Sequence, residues 1–381
     1  INTMSSNFNP FNLVYNGIKY ILNNNYNDNH NYIIKPEHLF VNNLNLIIFN
    51  IDGVLWNNQH NNKITNNEIN KKNILIAKET FNSLIKTDIP ICIITNECRH
   101  SPKIIKKMLK EQGFIINYKN EIKIITSGLL MINHISSIIN PDNCDIINNK
   151  VKTHIKYESE RKLNFAIIGE QDIYYYINQN ILNKYSNVKF HWINDKICPS
   201  VIDYFIITIL NNEGSFNIIE KRLMKWIKQN PTAKFIITSN EVVKGNDVNE
   251  AIYPLTILDK LKMSFTLEEH KINQEYMKNI KLNIECPSTP HNNILKKILE
   301  NNFGLNIIEC NNKLIESSKN NILMIDDNNS YNLKKYNDLN IYKSLVLSGR
   351  TKIQDLSYAK DNNTILQDID FIIPDISYLI T

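Results

Sequence analysis

The sequence predicts an α/β protein: a parallel sheet with helices on both faces, in a chain long enough for two domains. Three observations predict it. Short apolar runs with abrupt polar stops recur along the chain, as buried parallel strands do. Amphipathic stretches of helical period alternate with them, the pattern of successive βαβ units. With 381 residues, 43% of them hydrophobic, the chain has enough material for two cores.

The elements follow in order. Residues 1–35 carry asparagine clusters around a short apolar stretch, Leu13 to Leu22, and read as an N-terminal asparagine-rich extension. LNLIIF (44–49) is the first strand. Asn57 to Asn73 is polar and asparagine-rich, an inserted loop, and a helix is expected from Ile74 to Lys86. IPICIIT (89–95) is the second strand, Lys103 to Gln112 an amphipathic helix, and IKIITS (122–127) the third strand. The middle of the chain supplies FAIIG (165–169), YFIITIL (204–210) and KFIITSN (234–240), with helical stretches between them. ILMIDD (322–327), SLVLSG (344–349) and FIIP (371–374) close the chain, and no internal repeat of fixed period is evident.

Composition narrows the function classes. Six cysteines (Cys92, Cys98, Cys144, Cys198, Cys286, Cys310) are scattered without CxxC pairs, which points to reduced thiols inside a cell rather than a disulfide framework or a zinc knuckle. The net charge of +5 admits an RNA partner, but no basic stripe or aromatic–basic motif supports one. No apolar run approaches the ~18 residues that span a bilayer. The chain opens Ile1-Asn2-Thr3, compatible with a processed product. The abundance of Asn, Ile and Lys reads as codon bias and blurs the loops.

Ligands of open α/β sheets sit at the carboxyl ends of the strands. Polar signatures stand there in a particular order: FNIDGVLW after the first strand, IITNECRHS after the second, ECPSTP opening a later helix, and MIDD ending another strand. In that order they resemble the haloacid dehalogenase superfamily, and within it the branch of p-nitrophenyl phosphatase, phosphoglycolate phosphatase and pyridoxal phosphate phosphatase. ITSGLLMINHI, FAIIGE, KFIITSNE, LVLSGRT and FIIPDISYLI are similar to further segments of that branch, so the resemblance runs from about residue 40 to 381. It implies a Rossmann-like core (36–140 and 285–381) interrupted by a type-2 α/β cap domain (141–284).

The resemblance also assigns roles. The residue at 50 should be the nucleophilic aspartate and a magnesium ligand, and it is Asn50. Asp52 keeps the general acid and base position. Thr95, followed by Asn96, matches the phosphate-binding end of the second strand. The charge-balancing lysine position is Cys286, the nearest upstream lysine being Lys281. Asp326 and Asp327 match the magnesium-binding acids, and a further acid is replaced by Asn332.

These replacements carry a chemical consequence. A carboxamide is a poor nucleophile, and removing an essential nucleophile costs several powers of ten in rate. Losing the lysine weakens the hold on a dianionic phosphate, and losing a carboxylate weakens the hold on magnesium. The expectation is a pseudo-phosphatase that needs no cofactor, with residual magnesium admitted at Asp326 and Asp327.

Local readings stand beside the functional ones. Asp52 and Gly53 suit a tight turn, while Asp326, Asp327, Thr95 and Asn96 suit helix capping. Cys98 and His100 share a loop as ordinary residues, the lysines of 102–112 form a solvated face, and the tyrosines of DIYYYI (172–177) pack a helix onto the cap.

The function expected is that of a structural or interaction subunit in a larger assembly, such as a mitochondrial ribosome or another organellar complex. Protein partners would be contacted through the extension and inserted loop, in the mitochondrial matrix or alternatively the cytoplasm. Two alternatives stand against it. One is a magnesium-dependent phosphomonoester phosphatase with a rearranged site. The other is a phospholigand sensor built on Thr95, Asn96 and a metal at Asp327.

Overall fold

The computed structural model describes residues 44–56, 68–98, 100–116, 122–140, 162–195, 197, 199–238, 252–268, 284–285, 296, 299–300, 303–305, 320–328, 333–336, 339–349, 369, 371–373 and 375–379. Two parallel sheets organise them. The first contains β1 (Leu46–Asn50), β2 (Ile91–Thr95), β3 (Lys123–Thr126), β9 (Asn320–Asp326), β10 (Ile341–Val346) and β11 (Phe371–Ile373). The second contains β4 (Leu163–Ile168), β5 (Val188–Trp192), β6 (Tyr204–Ile207), β7 (Lys234–Ile237) and β8 (Ile284–Glu285). The helices are α1 (Glu68–Leu84), α2 (Pro102–Glu111), α3 (Ser127–Ile139), α4 (Gln171–Leu182), α5 (Glu213–Gln229) and α6 (Pro254–Glu268).

The first sheet runs β11-β10-β9-β1-β2-β3, which is the 3-2-1-4-5-6 order of a doubly wound fold when its own strands are counted. Strand order therefore reverses between β1 and β9. The second sheet runs β5-β4-β6-β7-β8 and reverses between β4 and β6. The expected Rossmann-like parallel core interrupted by a second α/β unit is what the chain forms.

Strand periodicity explains the layering. On β1, Ile47 and Phe49 point to one face and Leu46 and Ile48 to the other. The first pair joins Phe81, Leu84, Ile105 and Leu109 of α1 and α2, while the second joins Leu130, Leu299 and Leu333. Phe81 stands between Phe49 and Phe114, with ring centroids 5.7 and 5.4 Å away. Burying both faces is why LIIFN reads as an unbroken apolar run rather than an alternating one.

Helix ends follow their capping chemistry. Ser101 accepts a hydrogen bond from Ile104 N and Pro102 occupies the first turn of α2, which ends before Gly113 at φ +90°. Thr126 caps α3 by accepting from Leu129 N, and Asn212 caps α5 by accepting from Ser215 N. The lysines of α2 lie away from its buried residues, Ile105 and Leu109, so the solvated face expected there is present.

Several elements differ from expectation. Helix α1 begins at Glu68 rather than Ile74, taking the last part of the supposed inserted loop; residues 57–67 lie outside the described residues. Its first turns are polar, so apolar spacing shows only from Ile74 through Ala77, Phe81 and Leu84. Strand β5 was not expected, although VKFHW alternates in burial as an edge strand does. Helix α4 is anchored by Ile173, Ile177 and Ile181; Tyr174 and Tyr176 flank that cluster, while Tyr175 faces solvent. The extension 1–35 lies outside the described residues. Among those described, no helix is long and apolar enough to cross a membrane.

Candidate functional site

Register brings the site together. Strand β1 pairs with β9 so that Phe49 opposes Ile325, which sets Asn50 beside Asp326 at the carboxyl edge, across the strand-order reversal. On the other side Asn50 opposes Ile94, one residue before Thr95.

Asn50 is buried, and its carboxamide is oriented by the backbone. Its Oδ1 accepts from Ile51 N at 2.9 Å. That bond turns Nδ2 toward Asp326, where it donates to Oδ1 at 3.3 Å, and it also reaches the Asp52 carbonyl at 3.4 Å. Asp326 Oδ1 further accepts from Asn328 N at 2.9 Å, closing an Asx turn. A hydrogen bond to a buried charged group contributes about 1.5–3 kcal/mol. Burial, then the negative charge of Asp326, pushes the Tyr336 phenol above its ordinary range.

Asp52 sits half-buried in the turn from Ile51 to Trp56. Gly53 N donates to Trp56 O at 2.7 Å, and Leu55 N donates to Ile51 O at 2.9 Å. Trp56 Nε1 donates to Asp52 Oδ1 at 3.3 Å. Gly53 adopts φ +75°, a left-handed conformation that costs glycine little. A Cβ there would stand 2.0 Å from Asp327 Oδ2, and one at Gly349 would stand 2.2 Å from the same oxygen. Asp327, 2% exposed, is thus wedged between two glycine backbones. Ser348 Oγ donates to Gly53 O at 2.9 Å, tying the loop after β10 to this turn.

Thr95 is buried at the end of β2. Its Oγ1 accepts from Glu97 N at 3.1 Å, and its carbonyl accepts from Ser127 Oγ at 3.4 Å. Asn96 follows it, half-buried. Helix capping was the local reading for these residues, and the structure corrects it: the cap of α2 is Ser101, and Thr95 closes a turn of its own. Asp326 accepts from Asn328 N in an Asx turn, and residues 329–332, where a capped helix would begin, lie outside the described residues.

The structure places Asn50, Asp52, Thr95, Asn96, Asp326 and Asp327 around one end of the sheet. Cys286, Lys281 and Asn332 lie outside the described residues. Among the described residues no three His, Cys, Asp or Glu side chains converge as metal ligands. A separate cleft of about 640 Å³ opens beside Asn164, Lys189 and His191 of the second sheet, and none of the candidate residues lines it.

Sequence reading passed over the partners that hold these groups. Trp56 lies inside the quoted motif and Gly349 inside LSGR, yet only the fold shows them at Asp52 and Asp327. Glu97 is buried, with His100 Nδ1 3.7 Å from its Oε1. Cys98, expected to be an ordinary surface or core residue, is wholly buried against the second sheet, where it accepts from Ile209 N and Thr238 Oγ1.

Comparison with known proteins bears on the fold rather than on these side chains. Residues 47–160 match the family model described as haloacid dehalogenase-like hydrolase. No curated protein sequence matches the chain. Among solved structures, a possible sugar phosphatase of the haloacid dehalogenase superfamily from Cytophaga hutchinsonii superposes with a TM-score of 0.58 at 14% identity, over 91% of this chain and 98% of that one. A 4-nitrophenylphosphatase from Thermotoga maritima gives 0.52 at 13% identity, over 90% and 98%. A thermostable phosphatase double mutant, NPPase from Geobacillus stearothermophilus, gives 0.51 at 14% identity, over 88% and 97%. Residues 47–160 thus carry the likeness to the haloacid dehalogenase-like hydrolases, and the chain shares the fold of these solved structures over about nine-tenths of its length.

Proposed function

We propose that this protein is a catalytically inactive phosphatase-like member of its superfamily, serving as a structural or interaction subunit of a larger assembly. The observation that carries the reading is the orientation of Asn50. In an active enzyme of this type two carboxylates would face each other here, and a divalent cation would neutralise them. In this chain an amide N–H points at Asp326 Oδ1 instead. The donor does locally what a cation would do, and it presents hydrogen rather than a lone pair toward the place a ligand oxygen should occupy. Magnesium fits that donor set poorly, and no carboxylate is left at position 50 to attack phosphorus. The protein is therefore proposed to need no metal.

Asp52 and Thr95 support the same reading. Trp56 holds one Asp52 oxygen and Glu97 N engages the Thr95 hydroxyl, so both serve the local fold. The second reading, a magnesium-dependent phosphomonoester phosphatase with a rearranged site, draws on those retained residues and on structural neighbours described as a possible sugar phosphatase and a 4-nitrophenylphosphatase. The assembly is proposed to be organellar, a mitochondrial ribosome or a comparable complex in the matrix, with the cytoplasm as alternative. The modest +5 charge is compatible with an acidic environment of that kind.

Two measurements test the proposal. Purified full-length protein should not hydrolyse p-nitrophenyl phosphate above background, with or without magnesium, and turnover that requires the metal would establish the phosphatase reading instead. Gradient sedimentation of gently lysed source cells should place the protein in a large particle. Sedimentation as a free monomer or dimer would remove the assembly role.

A further inference from the structure

Helix α3 belongs to two hydrophobic clusters at once. Leu130 packs with Leu46, Ile48 and Ile125 of the first sheet. Met131, Ile132, Ile135 and Ile139 pack with Phe165, Ile167 and Ile206 of the second sheet and with Ile173 and Ile177 of α4. Gly128 opens this helix, and a Cβ there would stand 3.1 Å from Ile173 Cδ1 and 3.2 Å from the Cys98 carbonyl. A side chain there would be a tight fit, requiring its neighbours to give by a few tenths of an ångström.

The loop after β2 makes the second attachment. Cys98 Sγ accepts from Ile209 N at 3.4 Å and from Thr238 Oγ1 at 3.3 Å. Ile209 and Thr238 follow strands β6 and β7, so the thiol sits at the carboxyl edge of the second sheet, next to its strand-order reversal. That edge is where an open α/β sheet ordinarily receives a ligand. Here a residue from the other sheet's loop fills it. Ser127 Oγ, bonded to the Thr95 carbonyl, links the two attachments.

We propose that the two units form one body, latched by the Cys98 thiol at the carboxyl edge of the second sheet and by helix α3 shared between both cores. Separating them would expose Met131, Ile132, Ile135 and Ile139 of α3, which are at most 8% accessible, and leave Ile209 N and Thr238 Oγ1 without the sulfur they donate to. The Thr95–Cys98 loop is then held against the second sheet. This inference stands apart from turnover, because a latched chain could be active or inactive.

Two buried thiols provide the test. Cys92 lies inside the first sheet and reports opening of that core, whereas Cys98 reports separation of the two units. Full-length native protein is pulsed with N-ethylmaleimide and the labelled peptides are quantified by mass spectrometry. A latched body labels Cys98 no faster than Cys92, within about threefold, because both wait for the same opening. Labelling of Cys98 roughly tenfold or more ahead of Cys92 would show an independently opening second unit and overturn the proposal. Thr238→Val removes one donor to the sulfur without touching the first sheet. It should speed Cys98 labelling several-fold relative to Cys92; an unchanged ratio would overturn the thiol's part in the latch. A phosphatase assay on the same sample answers the separate question of turnover.

Discussion

At the scale of single residues, the group that matters is the buried carboxamide of Asn50, which donates to Asp326. Asn50→Asp would set a new carboxylate against Asp326, with each charge raising the other's pKa. A carboxyl whose folded pKa is raised destabilises the fold most above that folded value, and the penalty fades as pH falls through it and is gone below the unfolded pKa, near 3.9. At pH 7 without metal the variant should lose about 1–3 kcal/mol in urea unfolding. Magnesium should return part of that loss; at a hundredfold excess over its dissociation constant, about 2.7 kcal/mol is available. Wild type should show no such magnesium response. Gly53→Ala is a second residue-scale case. It places a Cβ 2.0 Å from Asp327 Oδ2 at a φ of +75°, so a loss above about 2 kcal/mol is expected from strain and clash together. Adding Asp327→Ala should return part of it, as a double-mutant cycle in urea would record.

At the scale of elements, α3 does more than its length suggests. Ile135 is fully buried between the helix and the second sheet, so Ile135→Ala should cost about 2–5 kcal/mol by denaturant titration. The same variant should increase hydrogen exchange in β4 and β6 as well as in α3, because they share one cluster. Most strands were legible from the sequence as apolar runs, since burial on both faces leaves β1, β2 and β9 without polar interruption. Strand β5 escaped notice because its Lys189 and His191 are polar positions of an edge strand, and helix α1 was read short because its first turns carry no apolar face.

For the whole molecule, the groups that burial keeps un-ionised set the alkaline limit. Burial raises Cys92 from its ordinary 9.0 to about 12, against a small opposing pull from Lys123, and raises Tyr176 from 10.0 to about 12. Tyr174, Tyr185 and Tyr336 are also raised, in each case first by burial. A raised folded pKa stabilises fully below the unfolded value, and that contribution is lost as pH rises through the folded value. Unfolding free energy should therefore hold up to about pH 9 and fall steadily toward pH 12, with midpoints in urea recording the slope. Spread across both sheets, these groups should weaken the two units together rather than one after the other.

Local patterning alone determined the parallel α/β class, the order of the strand-end motifs and the presence of an asparagine at the end of the first strand, because each is written in contiguous residues. The tertiary structure decided what those residues do for one another. The pairing of β1 with β9 joins positions 276 residues apart, and only that register aims the Asn50 amide at Asp326. Two glycines from distant loops wedge Asp327, and one thiol from the first sheet's loop closes the edge of the second. Contacts of this kind depend on backbone approach and on which groups burial leaves to pair, and neither is encoded in the spacing of residues along the chain.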